Sequence, residues 1–247
     1  MRRLFPLLAL FLLAGCGGAS SSSTSTPATI TEPASTSSNP AATADVFPAK
    51  NSERATVVLY HGWTDIEPDD YLPWIEHLNS EGVAVIFPRY QRSVISSPAE
   101  MLADAETATR DGLDKAPPAG PVIAVGYSLG GGYSVVYGAN AAAWNVPAPA
   151  AIYAIFPAMP PVVPDPFGTV PPEMSVTMLV GDRDEVVGDS GASALAAAIE
   201  PHATTIRTLS STSLFAFDHL SAKRTDRAAQ RAFWLPLDRI IDRLAAP

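Results

Sequence analysis

The residues best equipped for chemistry are Gly126-Tyr127-Ser128-Leu129-Gly130, a G-x-S-x-G pentapeptide. A serine hydroxyl is a weak nucleophile. It becomes effective when held exposed, beside a base and beside donors for an oxyanion. A sharp turn from a strand into a helix does this. Here the pentapeptide follows the apolar run 121–125 and precedes a stretch of small residues with helical character. Such a turn strains the serine backbone and brings strand and helix so close that Gly126 and Gly130 must lack side chains. The five letters alone arise by chance; the strand–turn–helix context makes Ser128 the candidate nucleophile.

A serine nucleophile needs a histidine base, and the base needs an orienting acid. The chain has four histidines. His77 falls in a predicted helix and reads as solvated. His202 falls in a connection and has no evident role. His61 follows the first predicted strand, in His61-Gly62-Trp63, and reads as a loop-shaping residue. His219 follows the last predicted strand, in Phe217-Asp218-His219-Leu220, where a loop can return over the strand ends; it is the candidate base. The acid should end the strand that lies between serine and histidine in the chain. That strand runs into Gly181-Asp182-Arg183-Asp184-Glu185. Asp182 ends the strand and Asp184 lies in the turn, so the residues alone leave both open. Asp218 adjoins His219, and adjacent side chains diverge, which makes it structural. Two backbone N–H groups should bind the oxyanion: that of Leu129, just after the nucleophile, and that of Trp63, in the loop after the first strand.

The elements that must position these groups are legible as alternating runs. Strands are predicted at 55–60, 83–87, 121–125, 150–156, 175–180 and 204–209. Helices are predicted at 70–80, 100–115 after a start at Ser97-Pro98, 131–144, from a cap at Asp189 or Ser190 to 199, and 225–244 with a break at Pro236. Continuous apolar strands alternating with helices mean a doubly wound, mostly parallel sheet covered on both faces. Ligands bind such sheets beyond the carboxyl ends of the strands. No phosphate cradle, metal-ligand spacing or dinucleotide fingerprint is found, and no cofactor is expected.

The 247-residue chain begins with Arg2 and Arg3 and an apolar run over 4–13, the layout of a secretory signal peptide. That run is too short to span a bilayer. Leu13-Ala14-Gly15-Cys16 resembles the lipobox of bacterial lipoproteins, which implies lipidation of Cys16 and anchoring to the cell envelope after export. Residues 17–48 are rich in Ser, Thr, Ala and Pro and are expected to form a disordered tether with an end-to-end distance of roughly 30 Å. The folded domain is expected over 49–247. Cys16 is the single cysteine, so no intramolecular disulfide is possible. A formal net charge of -9 argues against nucleic acid as a partner.

From about residue 57 to residue 244 the sequence resembles the α/β-hydrolases. The order Ser128, acid, His219 matches that family, and His61-Gly62 matches its oxyanion loop. Gly181-x-x-Asp184-x-x-Val187 matches its frequent acid turn, which favours Asp184 over Asp182 and leaves Asp182 to cap the turn or pair with Arg183. The chain is similar to the small, lidless members grouped with dienelactone hydrolases. It departs from their namesake in having serine where that enzyme has cysteine, so that substrate is not carried over. The resemblance implies an α/β-hydrolase fold without a lid domain and hydrolysis of small carboxylic esters through an acyl-enzyme, with no metal or cofactor. Residues 157–174 are too few for a lid and hold seven prolines, so they should form a stiff loop. With Trp63 and Tyr127 this loop would wall a shallow acyl site; Tyr90 reads as a packing residue. The alternatives are acyl transfer to an alcohol on the same triad, peptide-bond cleavage, and a non-catalytic binding module on the same fold.

Overall fold

The computed structural model describes residues 42–161 and 166–246. The expected signal peptide, Cys16 and most of the expected tether lie outside the described residues.

Strands β1 (Ala44–Phe47), β2 (Ala55–Tyr60), β3 (Val83–Pro88), β4 (Val122–Tyr127), β5 (Ala151–Ile155), β6 (Ser175–Gly181) and β7 (Thr204–Leu209) form one sheet in the order β1-β3-β2-β4-β5-β6-β7. All neighbours are parallel except β1, which runs antiparallel to β3. The chain moves from β2 outward to β3, then crosses back to β4 on the other side of β2. The strand order therefore reverses between β2 and β4, and a crevice opens above their carboxyl ends.

Every residue of β2, β3, β4 and β5 is buried, as continuous apolar runs require. One face carries α2 (Pro98–Lys115), α3 (Leu129–Asn140) and α4 (Ser190–Ala198). Its core includes Tyr60, Tyr90, Tyr133 and Tyr137. The other face carries α1 (Leu72–Ser80) and the C-terminal helices, with Phe87, Phe156, Phe233 and Trp234 among the core residues. Each fully buried large side chain contributes roughly 1.5–3 kcal/mol. Ser97 starts α2 with a capping box: its hydroxyl accepts from Glu100 N–H, and the Glu100 carboxylate accepts from Ser97 N–H.

Several boundaries differ from those expected. The expected tether ends inside the fold, because residues 44–47 form β1. That strand is held by the β3 ladder, by Ala44 N–H donating to Asp111, and by Arg89 pairing with Asp45. Helix α3 stops at Asn140, four residues early. Asp189 precedes α4 but makes no side-chain cap. The last helix starts as α5 (Arg227–Ala229), capped by the Asp226 side chain, widens into a π-helical turn over Gln230–Trp234, and resumes as α6 (Leu235–Leu244). Pro236 has no N–H to donate to the preceding turn, and the wider turn just before it absorbs the mismatch. Between β5 and β6 the described residues 157–161 and 166–174 form no helix or strand.

Candidate active site

Ser128 sits on the turn from β4 into α3 with φ 54° and ψ −123°, a region that side chains rarely enter. Its N–H donates to the Ile155 carbonyl, and its carbonyl accepts from Gly131 and Ala158 N–H, so both flanks hold the strain in place. The two glycines behave as the motif requires. A Cβ on Gly126 would lie 2.0 Å from the Gly130 carbonyl oxygen, and one on Gly130 would lie 2.2 Å from that of Tyr60.

The turn brings three of the expected residues into one row. Ser128 Oγ lies 2.9 Å from His219 Nε2, and His219 Nδ1 lies 2.9 Å from Asp184 Oδ2. The other Asp184 oxygen accepts from Val186 and Val187 N–H at 2.9 and 3.1 Å. Those two donors fix the carboxylate, whose side chain is fully buried, so that one oxygen is left for the imidazole. With Nδ1–H donating to Asp184, Nε2 is the basic nitrogen facing Ser128. His219 opens a short 3-10 helix (His219–Lys223) after β7. Tyr127 donates its hydroxyl to the His219 carbonyl at 2.9 Å and lays its ring beside the imidazole.

Asp182 is not in this row and neither caps its own turn nor pairs with Arg183. Its carboxylate accepts from the Ser211 hydroxyl and N–H, fastening the loop after β7. Those bonds, which favour the charged carboxylate, hold its pKa below the usual carboxylate range.

Leu129 is the first residue of α3, where an N–H has no acceptor within the helix and the positive end of the helix dipole lies. Trp63 follows β2 on the opposite lip of the crevice and is 47% exposed. Its N–H has no acceptor among the described residues, whereas the neighbouring donors of that loop are occupied: Gly62 N–H by Tyr71 Oη, Thr64 N–H by Gln91. The two expected oxyanion donors are thus both left unengaged.

His61 shapes this loop. Its ring stacks on Tyr90 and Phe87, its Nδ1 bonds the Gly62 carbonyl at 2.8 Å, and its own carbonyl accepts from Tyr90 Oη at 2.6 Å. Burial pushes its pKa down to about 4, so the ring is neutral at pH 7. His77, expected to be solvated, is half-buried: it bonds Asp238 at 3.0 Å and stacks on Trp234. His202 has both ring nitrogens without a partner among the described residues. Tyr127 and Tyr90 support the site from within rather than line its mouth.

Other contributors were not legible in the sequence. Phe156, at φ 49°, packs against the His219 ring with centroids 6.2 Å apart. Asp65 accepts from Tyr71 Oη at 2.7 Å and from Lys223 Nζ at 2.6 Å, joining the Trp63 loop to the turn that carries His219. Asp65 lies two residues after Trp63, which is a spacing signal of sorts; Lys223 lies 158 residues away and offers none. Among the described residues, no group of three or more His, Cys, Asp or Glu side chains could hold a metal ion.

The reversal of the sheet order, the strained serine turn and the lidless β5–β6 connection define an α/β-hydrolase fold. Compared by sequence, the chain matches no protein-family model and no curated protein. Solved structures carry the likeness. An esterase 2 of Thermogutta terrifontis, phosphoramylated by tabun, superposes with a TM-score of 0.59 at 14% identity, covering 83% of this chain and 90% of that one. A predicted CIB-like hydrolase from Thermoplasma acidophilum gives 0.56 at 18% identity, with 81% and 93% covered. An alpha-beta serine hydrolase homologue from Coxiella burnetii gives 0.54 at 14%, with 81% and 89% covered. At such identities the likeness is one of fold.

Proposed function

We propose that this chain is a serine hydrolase that cleaves carboxylic esters of modest size through an acyl-enzyme. The observation that carries the proposal is the unbroken hydrogen-bonded row from Asp184 through His219 to Ser128, with 2.9 Å at each step. Ser128 Oγ attacks the ester carbonyl carbon and gives its proton to His219 Nε2. The oxyanion is held by the N–H groups of Trp63 and Leu129. The carbon–alkoxy bond breaks, and Nε2 returns the proton to the departing alkoxide. Water then loses a proton to Nε2, attacks the acyl carbon and releases the acid; Ser128 recovers its proton. Asp184 holds the ring in the tautomer that leaves Nε2 basic and stabilises the imidazolium. The lidless connection between β5 and β6 and the exposed Trp63 favour small substrates with direct access.

The test joins a fluorophosphonate probe to p-nitrophenyl esters of graded chain length. The wild type should take one label and turn over short esters fastest; Ser128→Ala should take no label and lose turnover by a factor on the order of 10⁶, with its melting temperature little changed. Labelling of the Ser128→Ala protein would place the nucleophile elsewhere. Export and anchoring through a lipid on Cys16 form part of the same proposal and rest on the sequence of residues 1–16. Metabolic labelling with a clickable fatty acid, lost in Cys16→Ala, is its measurement.

A further inference from the structure

On the α6 face of the sheet, at the β7 edge, lies a groove of about 570 Å³. Tyr153, Thr177 and Thr205 pair in register across β5, β6 and β7, so they form a row roughly 10 Å long across its floor. Thr177 and Thr205 put short polar side chains at this end of a face otherwise covered by large apolar ones. Ile240 of α6 and the Tyr153 ring, whose hydroxyl is engaged by the Phe233 carbonyl, make part of the lining apolar.

Three arginines converge on this space: Arg207 from β7, and Arg239 and Arg243 one turn apart on α6. Among the described residues none has a carboxylate partner. Arg243 Nε reaches only the Arg239 carbonyl, at 3.3 Å. The one acidic residue in the lining, Asp242, already accepts from Arg54 at 2.8 Å. In a chain of net charge -9 this is an unusual concentration of unneutralised positive charge. All three are solvent-exposed residues, and together they offer an entering anion several guanidinium partners at once. Their planar forks fit a carboxylate or phosphate, and the volume is that of a small-ligand pocket.

The groove is separate from the serine row. Thr177 precedes Gly181, at the end of β6, by four residues, which is roughly 13 Å of strand, and Asp184 lies further on. We infer that this groove is a second, non-catalytic site that binds a small organic anion, a carboxylate or phosphate monoester carrying a short apolar body.

The experiment is calorimetric titration of the full chain with phenyl phosphate, benzoate, inorganic phosphate and benzyl alcohol. At least one of the two aromatic anions should bind, and the comparison between them identifies the head group. Benzyl alcohol should bind at least about tenfold more weakly, because it lacks the charge-assisted bonds, and inorganic phosphate more weakly than phenyl phosphate, because it lacks the ring. The Arg207→Ala/Arg243→Ala protein should lose about tenfold in affinity while hydrolysing p-nitrophenyl acetate at the wild-type rate. Thr205→Glu keeps all three arginines and sets a carboxylate among them; it should abolish binding without unfolding the chain. Binding should survive covalent blocking of Ser128. No binding of either aromatic anion in the millimolar range overturns the inference. So does equal binding of benzyl alcohol, wild-type affinity in either variant, or loss of binding on blocking Ser128.

Discussion

Lys223 Nζ stands 2.6 Å from Asp65 Oδ1 and 2.9 Å from Asp70 Oδ2, and so clamps the segment after β2 to the turn that carries His219. Burial works against its charge, yet the two carboxylates hold its pKa above that of a free lysine. Because Asp65 also accepts from Tyr71 Oη, and Tyr71 Oη accepts from Gly62 N–H, the clamp reaches Gly62, the residue before Trp63, in three hydrogen bonds. The Trp63 segment and His219, the oxyanion donor and general base of the proposed mechanism, are thereby set relative to each other by a contact outside the serine row.

Lys223→Met should therefore lower turnover by roughly tenfold, short of the hundredfold that a 1 Å misplacement can cost. Stability should fall only slightly, since partly exposed ion pairs contribute little. Lys223→Arg should restore part of the loss. Steady-state kinetics on p-nitrophenyl acetate beside thermal melts is the measurement; unchanged turnover in Lys223→Met would free the clamp from any role in positioning.

The two aspartates after β6 separate in the same assay. Asp184→Asn keeps the shape but cannot hold the Nδ1–H tautomer, and should cost on the order of 10⁴ in turnover. Asp182→Asn disturbs only the bond to Ser211 and should change turnover by less than about tenfold. The opposite ranking would assign the orienting role to Asp182.

Acid should find His61. Its pKa falls from 6.5 in the unfolded chain to about 4 in the fold, chiefly through burial; its bond to Gly62 and the charge of Asp65 pull the other way, and Arg89 and Lys223 add to the depression. Between those values the unfolded chain binds a proton that the native state refuses. The stability this group confers is thus fully present above pH 6.5 and is lost as pH falls towards 4, by an amount on the order of 3 kcal/mol. His61→Gln removes the titration. The gap in melting temperature between wild type and variant should narrow across this range; a gap constant with pH would mean that His61 does not titrate there.

Much of this architecture could be read from the sequence because burial leaves a compositional trace. Strands buried on both faces must be nearly continuous apolar runs, and β2 to β5 are. The serine turn was legible because glycine is forced wherever backbone meets backbone, at Gly126 and Gly130. Asp182 and Asp184 were not separable by composition. Their difference lies in side-chain direction, Asp184 turning into a tight loop of N–H donors and Asp182 out towards Ser211. The side that Tyr127 takes is hidden in the sequence for a related reason: an aromatic ring next to the serine does not say whether its hydroxyl faces the open site or the His219 carbonyl. The ties of His77 to Asp238 and of Lys223 to Asp65 join residues more than 150 positions apart, and nothing local announces them.

Strand β1 has a consequence for solubility. Its four residues cover the outer edge of β3, whose N–H and C=O groups would otherwise stand open beside the fully buried run Val83–Pro88. Composition invites cutting the chain at Lys50, just past the Ser/Thr/Pro-rich stretch. A protein shortened there would lose the ladder to Ala44–Phe47 and offer a bare, apolar sheet edge to its copies, the geometry from which intermolecular strand pairing starts. Size-exclusion profiles should show self-association in a chain beginning at Lys50 and none of it in one that keeps residues 40–49, so these few residues act as an anti-aggregation guard as much as a part of the fold.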